Sequence, residues 1–185
     1  MITYDSSKSN KDFEQILKLQ QSNLLESIEK GEMETQGFVT AKHDIELLSL
    51  MNHPYPHITA KENEKLIGYA LVMLKNFEKS IQILVPMFEQ INSIIYQGEL
   101  LKNANYFVMG QICIEKNYRG EGIFKRLYEK LRDQMAEDFK YVITEVSKRN
   151  ARSTSAHLKM GFINIKEYRS TIDNEEWIIF LWDWN

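Results

Sequence analysis

A chain of 185 residues with 43 % hydrophobic and 26 % charged residues can bury the core of one globular domain. Its formal net charge of −3 argues against a nucleic-acid binder that relies on bulk positive charge. The single cysteine, Cys113, excludes an intrachain disulfide and a cysteine-based zinc cluster. The opening Met1-Ile2-Thr3-Tyr4-Asp5 lacks the basic-then-apolar profile of a signal peptide, and no apolar run approaches the ~20 residues of a membrane span. A cytoplasmic protein with no membrane and no nucleic-acid partner is expected. No internal repeat, low-complexity stretch or Pro/Gly-rich linker interrupts residues 1–185, which read as a single domain.

Residues 1–8 can form a first strand. Ser9-Asn10-Lys11-Asp12 offers a capping side chain and an acid in a first helical turn, and Phe13, Ile16, Leu17, Leu24 and Ile28 keep roughly helical spacing towards a stop at Gly31. Residues 36–43 read as a short strand or a loop. Asp44 to Met51 predicts a short helix, ended by His53-Pro54-Tyr55-Pro56. His57 to Lys61 and Leu66 to Leu74 predict a hairpin about Glu62-Asn63-Glu64-Lys65. In residues 76–105, Ile81, Leu84, Val85, Phe88, Ile91, Ile94 and Ile95 predict helix with an interruption at Pro86 and an end at Gly98. This helical insertion between two strands is either a packing element or a wall over a substrate site.

Tyr106 to Ile114 is an apolar, strand-like run. It feeds a polar loop, Glu115-Lys116-Asn117-Tyr118-Arg119-Gly120-Glu121-Gly122. A helix follows at once, with Ile123, Leu127, Leu131 and Met135 four apart and Phe124 and Tyr128 beside them. A strand, a glycine loop and a helix N-terminus together can bind phosphate. The N–H groups of a first helical turn point outwards, the helix dipole favours an anion there, and glycine lets a ligand approach the backbone. The loop is not a dinucleotide fingerprint, because Lys125 stands where the third glycine belongs, and no Gly-Lys-Ser/Thr makes it a P-loop. By itself it could equally be a turn. Further on, Tyr141 to Val146 predicts a strand and Arg152 to Met160 a short helix ended by Gly161. Phe162 to Ser170 and Glu176 to Trp182 predict a final hairpin about Asp173-Asn174.

Two stretches carry a family resemblance. Arg119-Gly120-Glu121-Gly122-Ile123 after a strand resembles the pyrophosphate-binding motif of the GNAT superfamily of N-acetyltransferases, Arg/Gln-x-x-Gly-x-Gly/Ala. About thirty residues later, Asn150-Ala151-Arg152-Ser153-Thr154-Ser155-Ala156-His157-Leu158-Lys159-Met160-Gly161-Phe162 resembles the second motif of the family. The likeness is dense from about 106 to 170 and topological before that. Gly110-Gln111-Ile112-Cys113-Ile114, Thr144-Glu145-Val146 and Arg149-Asn150-x-Arg152-Ser153 look like a bacterial subgroup of undefined substrate.

The resemblance implies an α/β (α+β) GNAT fold, a mixed central sheet of about six to seven strands with helices on both faces. It implies acetyl-CoA as co-substrate, with no metal, in a cleft where the fourth and fifth strands splay apart. Backbone groups of Ile112, Cys113 and Ile114 would pair with the pantetheine arm, and backbone N–H groups of Arg119, Gly120, Glu121, Gly122, Ile123 and Phe124 would hold the pyrophosphate. Lys125 or Arg126 could meet an outer phosphate or form a solvated face. Asn150 would bond the pantetheine, with Ser153 near the sulfur. The reaction would be attack of a neutral amine on the thioester, which needs a base, donors for the oxyanion and an acid for the thiolate.

The chain departs from the family pattern twice. Phe124 replaces a small residue, so its ring must point away from the phosphates. His157 replaces the usual tyrosine acid; an imidazolium with a pKa of about 6.5 could protonate the thiolate, or the ring could pack or bond the cofactor. Glu145 and Glu115 are the candidate bases, with a water chain as an alternative, and Gln111 could orient a water. Glu145 could also pair with Arg149 or Arg152. Cys113 reads as a buried thiol, and His53 and His57, separated by proline, are not expected to hold a metal. The acceptor would be a small-molecule or peptide amine. A CoA sensor without turnover, an acyltransferase for longer chains and an unrelated nucleotide binder are the rival readings. The aromatic end, Trp177, Trp182 and Trp184, would pack at the last strand or join two subunits in a homodimer.

Overall fold

Apolar alternation and amphipathic spacing sort this chain into nine strands and five α-helices among the residues that the computed structural model describes, 1–28, 36–79 and 81–184. The strands are β1 (Ile2–Ser6), β2 (Ile58–Glu62), β3 (Lys65–Met73), β4 (Ile95–Tyr96), β5 (Glu99–Leu100), β6 (Tyr106–Ile114), β7 (Tyr141–Ser147), β8 (Ile163–Arg169) and β9 (Glu176–Asp183). The helices are α1 (Asn10–Gln21), α2 (Ile45–Met51), α3 (Val85–Ser93), α4 (Ile123–Met135) and α5 (Ala151–Met160). Seven strands follow the order β1-β2-β3-β6-β7-β9-β8 in one mixed sheet, and β4 and β5 form a separate two-stranded hairpin. No helix among the described residues is long and apolar enough to cross a membrane. The chain divides into two compact units, residues 1–73 with 109–135 and residues 74–108 with 136–185.

In the first unit, β1, β2 and β3 form an antiparallel meander, continued by the 109–114 part of β6. Residues of β3 alternate between its two faces, as side chains of a strand must. Gly68 lies against Ile123 of α4, whereas Tyr69 and Met73 lie on the side of α1 and α2. α4 buries Ile123, Leu127, Tyr128, Leu131 and Met135, the stripe read from its sequence, against β1–β3. Burying a Leu or Ile side chain in this way contributes roughly 1.5–3 kcal/mol. At Gly68 a Cβ would stand 3.3 Å from the Cys113 carbonyl of β6, a tight approach to main chain, and 3.5 Å from Ile123 of α4, an ordinary contact.

The first helix is shorter than its hydrophobic spacing suggests. α1 ends at Gln21 with Ser22 as its cap, and the chain turns so that Leu24 makes a parallel bridge with Val39. The Leu25 N–H donates to Val39 O at 3.0 Å and the Val39 N–H to Asn23 O at 2.9 Å. Backbone pairing with residues 36–43 therefore replaces helical bonds beyond Gln21. The expected stop at Gly31 lies outside the described residues.

The second unit begins its ladder where Tyr106–Val108 of β6 run parallel to Tyr141–Ile143 of β7. β7 pairs antiparallel with β9 along its whole length, and β9 pairs with β8. Thr144 is opposite Phe180, whose ring stacks on His157 of α5. The other face carries Tyr141, Ile143 and Glu145, and Tyr96 of the β4–β5 hairpin meets Tyr141 edge-on at 5.5 Å. Residues 76–105 depart from expectation. Pro86 starts α3 instead of interrupting a helix, since a first-turn proline forfeits no helical bond. Gln97 (φ 49°) and Gly98 (φ 83°) then form the left-handed pair of a tight hairpin turn, so Gly98 ends no helix.

Candidate functional site

The loop after β6 is built by two glycines and one arginine. Gly120 (φ 91°) and Gly122 (φ 80°) take the left-handed conformation that a side chain resists, and α4 begins at the next residue. A Cβ built on either glycine would meet nothing within 4 Å. The loop thus exposes backbone next to the outward N–H groups of a helix first turn, which fits an anionic group approaching the main chain. Ile123 is buried. Phe124, half-buried, turns its ring onto Tyr128 at 5.1 Å, which settles where the bulky replacement goes.

Arg119 does not reach outwards. Its Nε donates to Ile114 O at 2.9 Å, one terminal nitrogen donates to Asn23 Oδ1, and the other to the carbonyl and side chain of Gln36. The guanidinium folds the loop back onto the end of β6 and lines a cavity of about 220 Å³ with Ser22, Asn23, Ile28, Gln36, Glu115 and Lys116. Glu115 is salt-bridged to Lys65 at 2.7 Å, and its N–H donates to Ile67 O. Lys125 and Arg126 are exposed, each 3.6 Å from Glu129, spacings that hold neither side chain tightly.

On β6, Ile112 and Ile114 are half-buried, while Gln111 and Cys113 are buried. Gln111 Oε1 accepts from Gln20 Nε2 at 2.8 Å and from the Tyr69 hydroxyl at 2.6 Å, and Gln111 Nε2 donates to Ala41 O at 2.9 Å. Gln20 Oε1 in turn accepts the His43 N–H at 3.0 Å. Gln111 is therefore the centre of a buried network. Burial pushes the Cys113 thiol up to about 12, so it holds no thiolate at neutral pH.

The second unit holds the other predicted residues. Asn150 caps α5: its Oδ1 accepts the Ser153 N–H at 3.2 Å. His157 lies two turns into α5 and is 1 % exposed. Its ring stacks on Phe180 (5.9 Å, 10°) and meets Phe162 edge-on (5.0 Å, 88°). Nδ1 lies 2.8 Å from Ser153 O, a carbonyl that can only accept, so this nitrogen carries the proton. Burial brings the imidazole down to about 4. At neutral pH it is uncharged, and the premise of an imidazolium poised near 6.5 does not hold at this position.

Glu145 is half-buried on the opposite face of β7. The Tyr168 hydroxyl donates to its Oε2 at 2.6 Å. Desolvation pushes its carboxyl up to about 8, with Asp173 adding in the same direction and the Tyr168 hydrogen bond opposing. Arg149 is not its partner: that guanidinium takes Glu175 in two bonds, at 2.8 and 2.7 Å. Tyr168 escapes sequence reading, because its meeting with Glu145 depends on the registers of two ladders. Among the described residues, no group of three or more His, Cys, Asp or Glu side chains could hold a metal ion.

A model of the acetyltransferase (GNAT) family matches residues 15–162. The chain belongs to this family. Solved structures of GNAT proteins share its fold at low identity. One is the NatC complex bound to Gag peptide and CoA (TM-score 0.67, 17 % identity, 100 % of this chain and 99 % of that one). Another is the ribosomal-protein-S18-alanine N-acetyltransferase of Escherichia coli (0.64, 14 %, 99 % and 94 %). A third is yncA of Salmonella typhimurium with its cofactor acetyl-CoA (0.63, 13 %, 100 % and 95 %). No curated protein matches.

Proposed function

We propose that this GNAT-family chain, acting as a single domain, is an N-acyltransferase that moves the acetyl group of acetyl-CoA to a primary amine by direct attack. The observation that carries this reading is the Arg119–Gly122 loop: left-handed glycines with open space around them, held at the end of a strand and opening into a helix. Backbone N–H groups from Arg119 to Phe124 hold the pyrophosphate, with Lys125 and Arg126 near the outer phosphate. Backbone groups of Ile112 and Ile114 hold the pantetheine. A β6 N–H before Glu115 faces the developing oxyanion, since the Glu115 N–H is taken by Ile67 O. Arg119 acts through the loop, which its guanidinium ties to Ile114, Asn23 and Gln36.

Glu145 is the base of this reading. A carboxyl that desolvation brings to titrate near neutrality, on a half-buried residue towards the end of its strand, suits removal of a proton from an ammonium group. Glu115, tied to Lys65, suits it less. The buried, neutral His157 packs α5 rather than supplying a proton, which also favours a second reading, a CoA-binding protein without turnover. A peptide amine is the favoured acceptor, because the neighbours with a stated substrate were solved with a peptide or act on a protein alanine.

The test is a thermal-shift titration with acetyl-CoA, CoA, ATP and NADH. A ligand at a hundred times its dissociation constant adds roughly 2.7 kcal/mol, about 5–10 °C for a domain of this size. A shift with acetyl-CoA and CoA alone is expected. Its absence would remove the cofactor assignment. Thiol release from acetyl-CoA with peptide and small-molecule amines then separates turnover from binding alone.

A further inference from the structure

Among the candidates outside the two motifs, the Glu145–Tyr168 pair carries an inference furthest. The open groove lined by Lys148, Thr154, Leu158 and Ile178 has nothing to say what covers it. The Gln111 network is closed on itself. Glu145 differs. β7 pairs with β6 only from Tyr141 to Ile143, so Glu145 lies past the last rung of the parallel ladder, towards the C-terminal end of the strand. Ligands of open α/β sheets bind at such strand ends. Opposite Glu145 on β9 is Ile179, and Tyr168 of β8, which is opposite Trp177 of β9, projects from the same face. The reach across β9 ends in a 2.6 Å hydrogen bond from the Tyr168 hydroxyl to Glu145 Oε2.

We propose that Tyr168 is a positioning residue for Glu145, fixing one carboxylate oxygen so that the other takes the proton of the acceptor ammonium. This rests on the acyltransferase reading above. The step balances: the ammonium N–H proton passes to the carboxylate, leaving a neutral amine with its lone pair and a neutral carboxyl. The Tyr168 hydroxyl keeps its own proton throughout, since burial and the neighbouring Glu145 hold it well above the range of a free phenol. A hydroxyl donor favours the charged form of the acid it binds.

Other titratable groups of this unit stand around the pair. Asp173, in the turn between β8 and β9, adds like charge to Glu145. Lys166, on the same face of β8, donates to Ser93 at the end of α3, whose own acid, Glu89, is exposed. Tyr141 and Asp183 stand opposite each other at the other end of that face. Tyr168 is thus the donor to the carboxylate, and Asp173 the like charge that opposes it.

The test titrates Glu145 directly, by carboxyl carbon NMR of glutamate-labelled protein with Glu145→Gln assigning the signal, and follows kcat/KM against pH. Tyr168→Phe should raise the Glu145 pKa by about one unit, because the lost bond favoured the carboxylate. The rising limb of the rate profile should move to higher pH by the same amount, with about a tenfold loss below it, recovery above it and an unchanged KM for acetyl-CoA. Asp173→Asn should move both readouts down.

An unmoved titration in Tyr168→Phe would overturn the proposal whatever the rates do. A moved titration with an unmoved rate profile would overturn the role of Glu145 as base. Loss at every pH would make Tyr168 itself a catalytic residue, against the proposal. If the unaltered protein acetylates no amine, the acyltransferase reading fails and takes the positioning role with it, while the titration still reports whether the two side chains are coupled.

Discussion

Acidification should unfold this protein through its buried histidines. His57, 0 % exposed, is satisfied only as a neutral ring: Nε2 lies 3.1 Å from Leu48 O, an acceptor, and the Val72 N–H donates to Nδ1 at 3.1 Å. A second ring proton would face that Val72 N–H. His157, stacked between aromatics, is neutral for the reason of burial already given. Desolvation brings both down to about 4. The sign follows from proton uptake. Between about pH 6.5 and 4 the unfolded chain protonates both rings and the folded chain does not, so stability falls as pH falls through this window and levels off below it. A depression of about 2.5 units corresponds to roughly 3 kcal/mol for each ring.

Half-buried His43, also lowered to about 4 by burial, adds in the same direction, and Glu145, raised to about 8, opposes by binding a proton in the folded state. The net near pH 5.5 is about two protons, or roughly 2.7 kcal/mol lost per pH unit. Urea denaturation at pH 7, 6.5, 6, 5.5 and 5 measures this slope directly. His157→Phe keeps an aromatic against Phe180 and should reduce the slope by about one proton. A stability that stays level or rises from pH 7 to 5, or a slope that the variant leaves unchanged, would refute the argument from buried neutral imidazoles.

Further predictions concern single sites. Gln111→Leu leaves Tyr69, Gln20 and Ala41 without their shared partner and should lower stability by about 2–3 kcal/mol, read as a lower urea midpoint. Arg119→Ala removes the bonds to Ile114, Asn23 and Gln36. It should weaken acetyl-CoA binding, measured by calorimetry, about tenfold through loop disorder, with a stability loss of about 1–2 kcal/mol after allowance for partial exposure. Gly161→Ala forces a side chain into φ 97°, with Trp182 Nε1 3.5 Å from the new Cβ. It should lower the melting temperature by a few degrees, about 1 kcal/mol, without changing binding at the glycine loop.

What the sequence made legible was local. The four-residue stripe of α4, the hairpin signals of β2–β3 and β8–β9, and the glycine between α5 and β8 are patterns whose cause lies within a few residues of their effect. The loop glycines belong to this class, and the family resemblance added the sense of the loop. What stayed hidden was long-range. The end of α1 is decided by Val39, and the turn at Gln97-Gly98 by a hairpin of only two residues per strand. Gln111 gathers partners from α1, β3 and residue 41, and Glu145 meets Tyr168 across β9, so no window of sequence contains either environment.

The two motif side chains on which recognition rests, Arg119 and Asn150, both act first on their own chain. Arg119 satisfies the carbonyls of Ile114 and Gln36, and Asn150 satisfies the Ser153 N–H at the start of α5. Each is a polar group that fixes a backbone course where a strand has just ended and a helix is beginning. A backbone held in that way presents N–H groups at defined positions and moves little on meeting an anion, so the ordering entropy of the loop is already met by folding. A motif residue's identity thereby follows from main-chain geometry, and Phe124 can stand where a small residue is usual. Its ring packs on Tyr128 of α4 at 5.1 Å, and a backbone N–H donates equally well from phenylalanine or glycine.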